Sequence, residues 1–181
     1  KWCGAGGWRL GFIAVPDKLK KFLKSLKTLA SESYSTVNTP LQYAAVEAYS
    51  GDYENYKNKT RKILEGVGNY AYNNLKSNKI LLTPPEGAFY LMPEFLGTKF
   101  KNSNHLCEKI LEDTGVALLP GSDFGFEPKK MIARLSYTDF DGENFLNSLE
   151  DNGNLTDGMV EKFAPNVVEG IKKLSNWAKK I

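Results

Sequence analysis

Histidine, cysteine and arginine are scarce in this sequence of 181 residues, which holds one histidine (His105), two cysteines (Cys3 and Cys107) and three arginines (Arg9, Arg61 and Arg134). A single histidine excludes His-rich zinc chemistry and a serine–histidine–aspartate triad with a choice of histidines. The cysteines form neither a CxxC pair nor a disulfide framework, so both are expected as free thiols and no metal site is expected. No stretch approaches the roughly 18 apolar residues of a membrane-spanning helix, and the first residues carry no signal-peptide core. A cytoplasmic protein without a membrane partner is the expectation. The 24 cationic side chains exceed the 21 acidic ones by a formal charge of only +3, far from the excess of a nucleic-acid binder. The chemistry is therefore left to lysine, arginine, tyrosine or carboxylates.

With 41% hydrophobic and 25% charged residues, the composition is that of a globular chain long enough to bury a core. Twenty-one of the cationic residues are lysine. The few arginines stand out, because a rigid guanidinium fork grips carboxylate or phosphate bidentately where lysine offers only a point charge.

Trp8–Val15 is an apolar run stopped by Pro16, which predicts a buried strand. After Asp17, a candidate cap, Leu19, Phe22, Leu23, Leu26 and Leu29 recur at helical spacing between lysines. This predicts a helix with one buried stripe and one solvated face. Thr39-Pro40 reads as cap and first helical residue of a helix ended by Gly51, and a longer helix is expected from Asp52 to about Lys76, weakened by Gly66 and Gly68. Short strands follow at 80–82 and 88–92 around a Pro-Pro-Glu-Gly turn. Then come a helix capped by Ser103, strands at 116–119 and 131–137, and helical character from Asp141 around Pro165. Alternating strands and helices argue for α/β to α+β.

Residues 1–9, Lys-Trp-Cys-Gly-Ala-Gly-Gly-Trp-Arg, form a glycine-rich loop framed by two cations. Glycines let a backbone approach a ligand closely, which suits a phosphate-bearing molecule, although the spacing fits neither a P-loop nor a GxGxxG turn. More specific is the order of four elements. Lys1 precedes Arg9 by eight residues; Pro85-Glu86-Gly87-Ala88-Phe89-Tyr90 follows, then Pro120-Gly121-Ser122-Asp123-Phe124-Gly125, then Ala133-Arg134-Leu135-Ser136-Tyr137. In this order the sequence resembles the C-terminal half of class I aminotransferases, enzymes of fold type I that depend on pyridoxal 5'-phosphate (PLP). The likeness to the aspartate and aromatic aminotransferases covers residues 1 to about 140.

The resemblance implies that Lys1 is the catalytic lysine joined covalently to the cofactor, that Arg9 binds the cofactor phosphate and that Arg134 binds the substrate α-carboxylate. Lysine chemistry agrees: an ordinary amine with a pKa of about 10.4 becomes a nucleophile and a base once its site desolvates it or places cations nearby. Arg61 matches no ligand position and reads as structural. Phe124 is read as a core aromatic, with a place lining the substrate pocket as the alternative, and Ser35 and Thr36 fall in the region that in relatives approaches the neighbouring subunit's active site. The implied reaction is amino-group transfer from an amino acid, aspartate or an aromatic one, to a 2-oxo acid such as 2-oxoglutarate, in a homodimer. On the same scaffold a carbon–sulfur lyase is the alternative.

Family residues that lie ahead of the lysine have no counterpart here, among them the aspartate that partners the pyridine nitrogen. The expectation is thus a fragment, catalytically inactive in isolation, or a non-catalytic folded module as it stands. Residues 1–50 would be the end of the large PLP-binding domain. Residues 51–181 would be the small C-terminal domain, a small mixed sheet flanked by helices.

Overall fold

The computed structural model describes residues 1–150 and 153–181, in two units, Lys1–Lys57 and Asn58–Ile181. The helical reading from Asp141 onward crosses Asp151 and Asn152, which lie outside the described residues.

In the first unit the chain opens with a tight loop and a 3-10 turn, Gly6–Trp8, and a second 3-10 turn, Asp17–Leu19, leads into α1 (Lys20–Ser33). Helix α2 spans Thr39–Ser50 and stops at Gly51. Two local readings change. Asp17 lies inside the 3-10 turn without capping α1, and Thr39 is the first helical residue of α2, after Asn38, with no side-chain cap. The predicted strand at 8–15 is absent: after Trp8 these residues are neither helix nor strand, and Phe12 and Ile13 are 72% and 74% exposed. A strand exists only against a partner that takes its backbone N–H and C=O groups, and none of the described strands pairs with this segment. The stripe on α1 has the predicted spacing but not the predicted burial. Phe22 is 53% and Leu29 63% exposed, because two helices and a loop offer no second layer to cover it.

The second unit is built on α3 (Glu54–Leu75), whose first turn holds the unit boundary. Asp52 Oδ1 accepts from the Glu54 amide at its start. Ile63, Val67, Tyr70, Ala71 and Leu75 are its buried face, the three-to-four spacing of an amphipathic helix. Gly68 does more than weaken this helix: a Cβ there would stand 2.9 Å from Tyr137 Oη, so the position admits close packing.

Strands β1 (Ile80–Leu81), β2 (Tyr90–Leu91), β3 (Glu94–Phe95), β4 (Leu119–Pro120) and β5 (Ala133–Ser136) form a two-stranded sheet, β1-β3, and a three-stranded one, β2-β5-β4. Every described ladder is antiparallel, where a mixed sheet was expected. The neighbouring segments at 80–82 and 88–92 join different sheets. Helix α4 (Ser103–Thr114) is capped by Asn102, whose Oδ1 accepts from the His105 amide at 2.9 Å; Ser103 is buried as its first residue. Helices α5 (Gly142–Ser148), α6 (Asp157–Phe163) and α7 (Pro165–Ala178) complete the chain, with Pro165 opening α7 as a residue lacking a backbone donor should. Helix α7 buries Val167, Val168, Ile171, Leu174 and Trp177 in a core shared with Leu106 and Ile110 of α4. Cys107 lies in that core as a free thiol, and burial pushes its pKa up to about 11; Cys3 is free and half-buried.

Gly121 donates its amide to Ile132 O at 2.8 Å, and a Cβ on it would stand 2.9 Å from that same oxygen. Gly121→Ala is therefore expected to destabilise the second unit by about 1–3 kcal/mol, lowering the urea midpoint without changing the slope. Trp177 Nε1 donates to Asp113 Oδ2 at 2.9 Å, and Lys109 lies 3.0 Å from Asp113 Oδ1. These two contacts, the indole bond first, hold the Asp113 carboxyl below its ordinary 3.8. A folded pKa below the unfolded one gives stability that is present above the ordinary value and lost as pH falls through the lowered one. Thermal melts from about pH 6 to about pH 2 should show that Asp113→Asn is the less stable protein at neutral pH and converges with the parent at the acid end.

Candidate active site

The loop at the start of the first unit brings two predicted site residues to one glycine. Gly4 turns through φ +66° and donates its amide to Lys1 O at 3.1 Å, closing the loop. Gly6 then lies beside the lysine, so that a Cβ on Gly6 would be 3.4 Å from Lys1 Nζ. The Gly6 carbonyl accepts the Arg9 amide at 3.4 Å and Arg9 Nη1 at 3.5 Å, the outer limit of a hydrogen bond. Arg9 makes this return in the left-handed region, φ 51° and ψ 35°, a conformation that costs a non-glycine residue about 1–2 kcal/mol. Lys1 and Arg9 are both exposed. Trp2 anchors the loop, with its ring centroid 5.7 Å from that of Tyr53 and 6.1 Å from that of Tyr49, and Lys57 Nζ 5.9 Å from its centre. A primary amine and a guanidinium on one short loop are the donor set that an aldehyde bearing a phosphate requires, and PLP is such a molecule.

Arg134 belongs to the second unit. Along β5, Ala133 and Leu135 turn into the core and Arg134 to the other face, where it is half-buried. Tyr90 of β2 pairs with Ser136, which makes Tyr90 and Arg134 diagonal neighbours. The guanidinium carbon lies 4.4 Å from the Tyr90 ring centre and 4.2 Å from that of Phe124. Phe124 comes from a 3-10 turn, Gly121–Phe124, secured by the Gly121 bond to Ile132 and by Ser103 Oγ to Ser122 Oγ at 3.3 Å. It is 40% exposed, against the expected core position. Among the described residues no carboxylate pairs with the Arg134 guanidinium.

Sequence reasoning named Arg134 but not the Tyr90 ring beside it. The aromatic ends the Pro-Glu-Gly-Ala-Phe-Tyr motif at 85–90, yet the pairing register that makes it a neighbour is visible only in the fold. Arg61 Nη1 donates to Asn58 Oδ1 at 3.1 Å on the surface. Ser35 and Thr36 line a cavity of about 600 Å³ in the first unit with Leu10, Phe12, Tyr34 and Val46; Lys1 and Arg9 do not border it.

Comparison with known proteins gives this geometry a setting. The sequence model described as "Aminotransferase class I and II" matches residues 1–149. The chain is 37% identical over 135 residues to the probable aspartate/prephenate aminotransferase of Aquifex aeolicus, covering 72% of this chain and 33% of that protein. It is 34% identical over 131 residues to the aspartate aminotransferase of Thermotoga maritima, covering 72% and 31%. It thus spans about a third of the length of these relatives. The solved alanine aminotransferase of Pyrococcus furiosus superposes with a TM-score of 0.68 at 25% identity, over 100% of this chain and 40% of that one. The aromatic aminotransferase of Pyrococcus horikoshii OT3 shares the fold, with a TM-score of 0.70 at 22% identity over 99% and 41%. These superpositions take in α6 and α7 as well as the residues matched in sequence. No helix among the described residues is long and apolar enough to cross a membrane. The chain belongs to the class I and II aminotransferases, a PLP-dependent family.

Proposed function

We propose that this chain is the C-terminal part of an aminotransferase that uses PLP and moves an amino group between aspartate, or an aromatic amino acid, and a 2-oxo acid such as 2-oxoglutarate. In this reading residues 1–50 complete the cofactor-binding domain and residues 51–181 form the small domain of a cytoplasmic homodimer. The two free thiols are in keeping with a reducing compartment. The observation that carries the reading is the convergence of Lys1 Nζ and the Arg9 guanidinium on Gly6. The relatives' names, aspartate and aspartate/prephenate aminotransferase, favour transfer over carbon–sulfur elimination.

Lys1 Nζ would hold the cofactor at its aldehyde carbon, and Arg9, which spends one N–H on Gly6 O, would turn its remaining donors to the phosphate. Bound PLP supplies an electron sink for the charge that develops at the substrate α-carbon. Lys1 Nζ, in its unprotonated form, is the base that takes the α-proton and later returns it. Arg134 fixes the substrate through its α-carboxylate, so that the bond to be broken is held in one orientation. The Gly6 carbonyl holds the Arg9 fork on the loop, and among the described residues no carboxylate pairs with Arg9.

Borohydride reduction of the complete PLP-loaded protein, followed by peptide mass spectrometry, is expected to find the phosphopyridoxyl mass on the Lys1 side chain and on no other lysine. Arg9→Ala should weaken PLP about 10- to 100-fold, as loss of a charge-assisted contact does. An adduct on a different lysine, with Arg9→Ala binding PLP normally, would sink the assignment.

A further inference from the structure

We propose that Tyr90 and Phe124 are positioning residues for Arg134, holding its guanidinium by their rings so that the N–H edge meets a carboxylate in bidentate register. The inference rests on the reading of Arg134 as the carboxylate-binding residue and asks what holds it in place.

An arginine on a strand reaches its ligand through a long flexible stem, and a bidentate grip works only if the planar fork is oriented in advance. A neighbouring carboxylate would be the usual way to orient it, but such a partner neutralises the charge and occupies the donors that the ligand needs. Here the neighbours within reach are rings, with centres 4.4 Å and 4.2 Å from the guanidinium carbon. Ring faces attract a cation through their quadrupole and leave its in-plane N–H donors unspent. The two rings are themselves fixed to the strand that carries Arg134. Tyr90 is held by the β2-β5 ladder, and Phe124 by a turn whose Gly121 amide bonds to Ile132 O, two residues before Arg134. The Phe126 amide closes the same turn on Gly121 O at 3.2 Å. Both rings and the arginine thus share one frame, and the full cationic charge faces the carboxylate.

The test uses steady-state kinetics of the complete enzyme. Phe124→Leu and Tyr90→Leu remove a π face and keep apolar bulk; each is expected to raise the KM of the amino donor about tenfold while kcat stays within about twofold. Phe124→Tyr and Tyr90→Phe, which keep the faces, should stay within about twofold of the parent in both constants. In an Arg134→Lys background, Phe124→Leu should add less than a twofold change, because the cycle then has no guanidinium to position. Phe124 is part-exposed, so the melting temperature of Phe124→Leu should match that of the parent. If the leucine variants leave KM unchanged while Arg134→Lys raises it, the positioning role is wrong and the carboxylate reading stands. An equal effect of Phe124→Leu in both backgrounds also overturns the proposal, by showing a structural role. If Arg134→Lys leaves KM unchanged, the carboxylate reading itself fails.

Discussion

Strand β5 is the constraint on which the second unit depends, because among the described strands it alone is paired on both edges of its sheet, by β2 and by β4. Its alternation settles two matters together. Ala133 and Leu135 enter the core beside the α3, α4 and α7 side chains, and this fixes the strand's register against slipping by one residue. The same alternation then leaves Arg134 no choice of face. Beyond the strand, Tyr137 is buried and donates its hydroxyl to Ala88 O at 3.1 Å, tying the end of β5 to the segment that leads into β2. Burial raises the Tyr137 pKa, so the phenol stays a neutral donor at ordinary pH. Core packing and the placement of the guanidinium are consequences of one pairing pattern.

The first unit works on a different principle, since its candidate groups are placed by local backbone geometry rather than by a core. A glycine at positive φ, a 3-10 turn and an arginine in the left-handed region bend nine residues so that both cations address Gly6. The aromatic packing of Trp2 on Tyr49 and Tyr53 is a tertiary contact of the same loop. Contacts between ring pairs of this kind contribute about 0.5–1.5 kcal/mol each beyond burial, the same order as the conformational penalty.

Much of the helical architecture was legible because helices advertise themselves locally. The spacing of Ile63, Val67 and Tyr70, the proline at the start of α2 and the Gly51 stop after it are properties of short windows. Strands are not local in this sense: the apolar run at 8–15 has the composition of a buried strand, and composition cannot supply a partner. For the same reason the segments at 80–82 and 88–92 read as companions but pair elsewhere. Caps went astray by one residue, at Asn102 for Ser103 and Asn38 for Thr39, where two polar residues stand in a row. At the candidate site the cations were legible through the resemblance. Their surroundings were not. That Arg9 turns back on Gly6 depends on a left-handed backbone that sequence statistics disfavour for arginine, and that Phe124 lies against Arg134 depends on a turn anchored at Ile132.

The scarcity of arginine acquires a physical meaning from these placements. The ion pairs of Lys20 with Asp17, Lys57 with Glu54, Lys109 with Glu112 and Asp113, and Lys173 with Glu169 are made by lysine. Exposed pairs of this type contribute little, about 0–1 kcal/mol, and a flexible point charge is sufficient for them. Arg9 and Arg134 are held instead by groups that carry no net charge, a carbonyl oxygen and two aromatic rings. A carbonyl or a ring orients a guanidinium without quenching it, so the binding energy of an incoming anion is not spent on displacing a resident carboxylate. A lysine in either place would lack the planar fork that makes orientation useful. The division of labour between the two cationic residue types is therefore a division between surface charge and directed anion recognition.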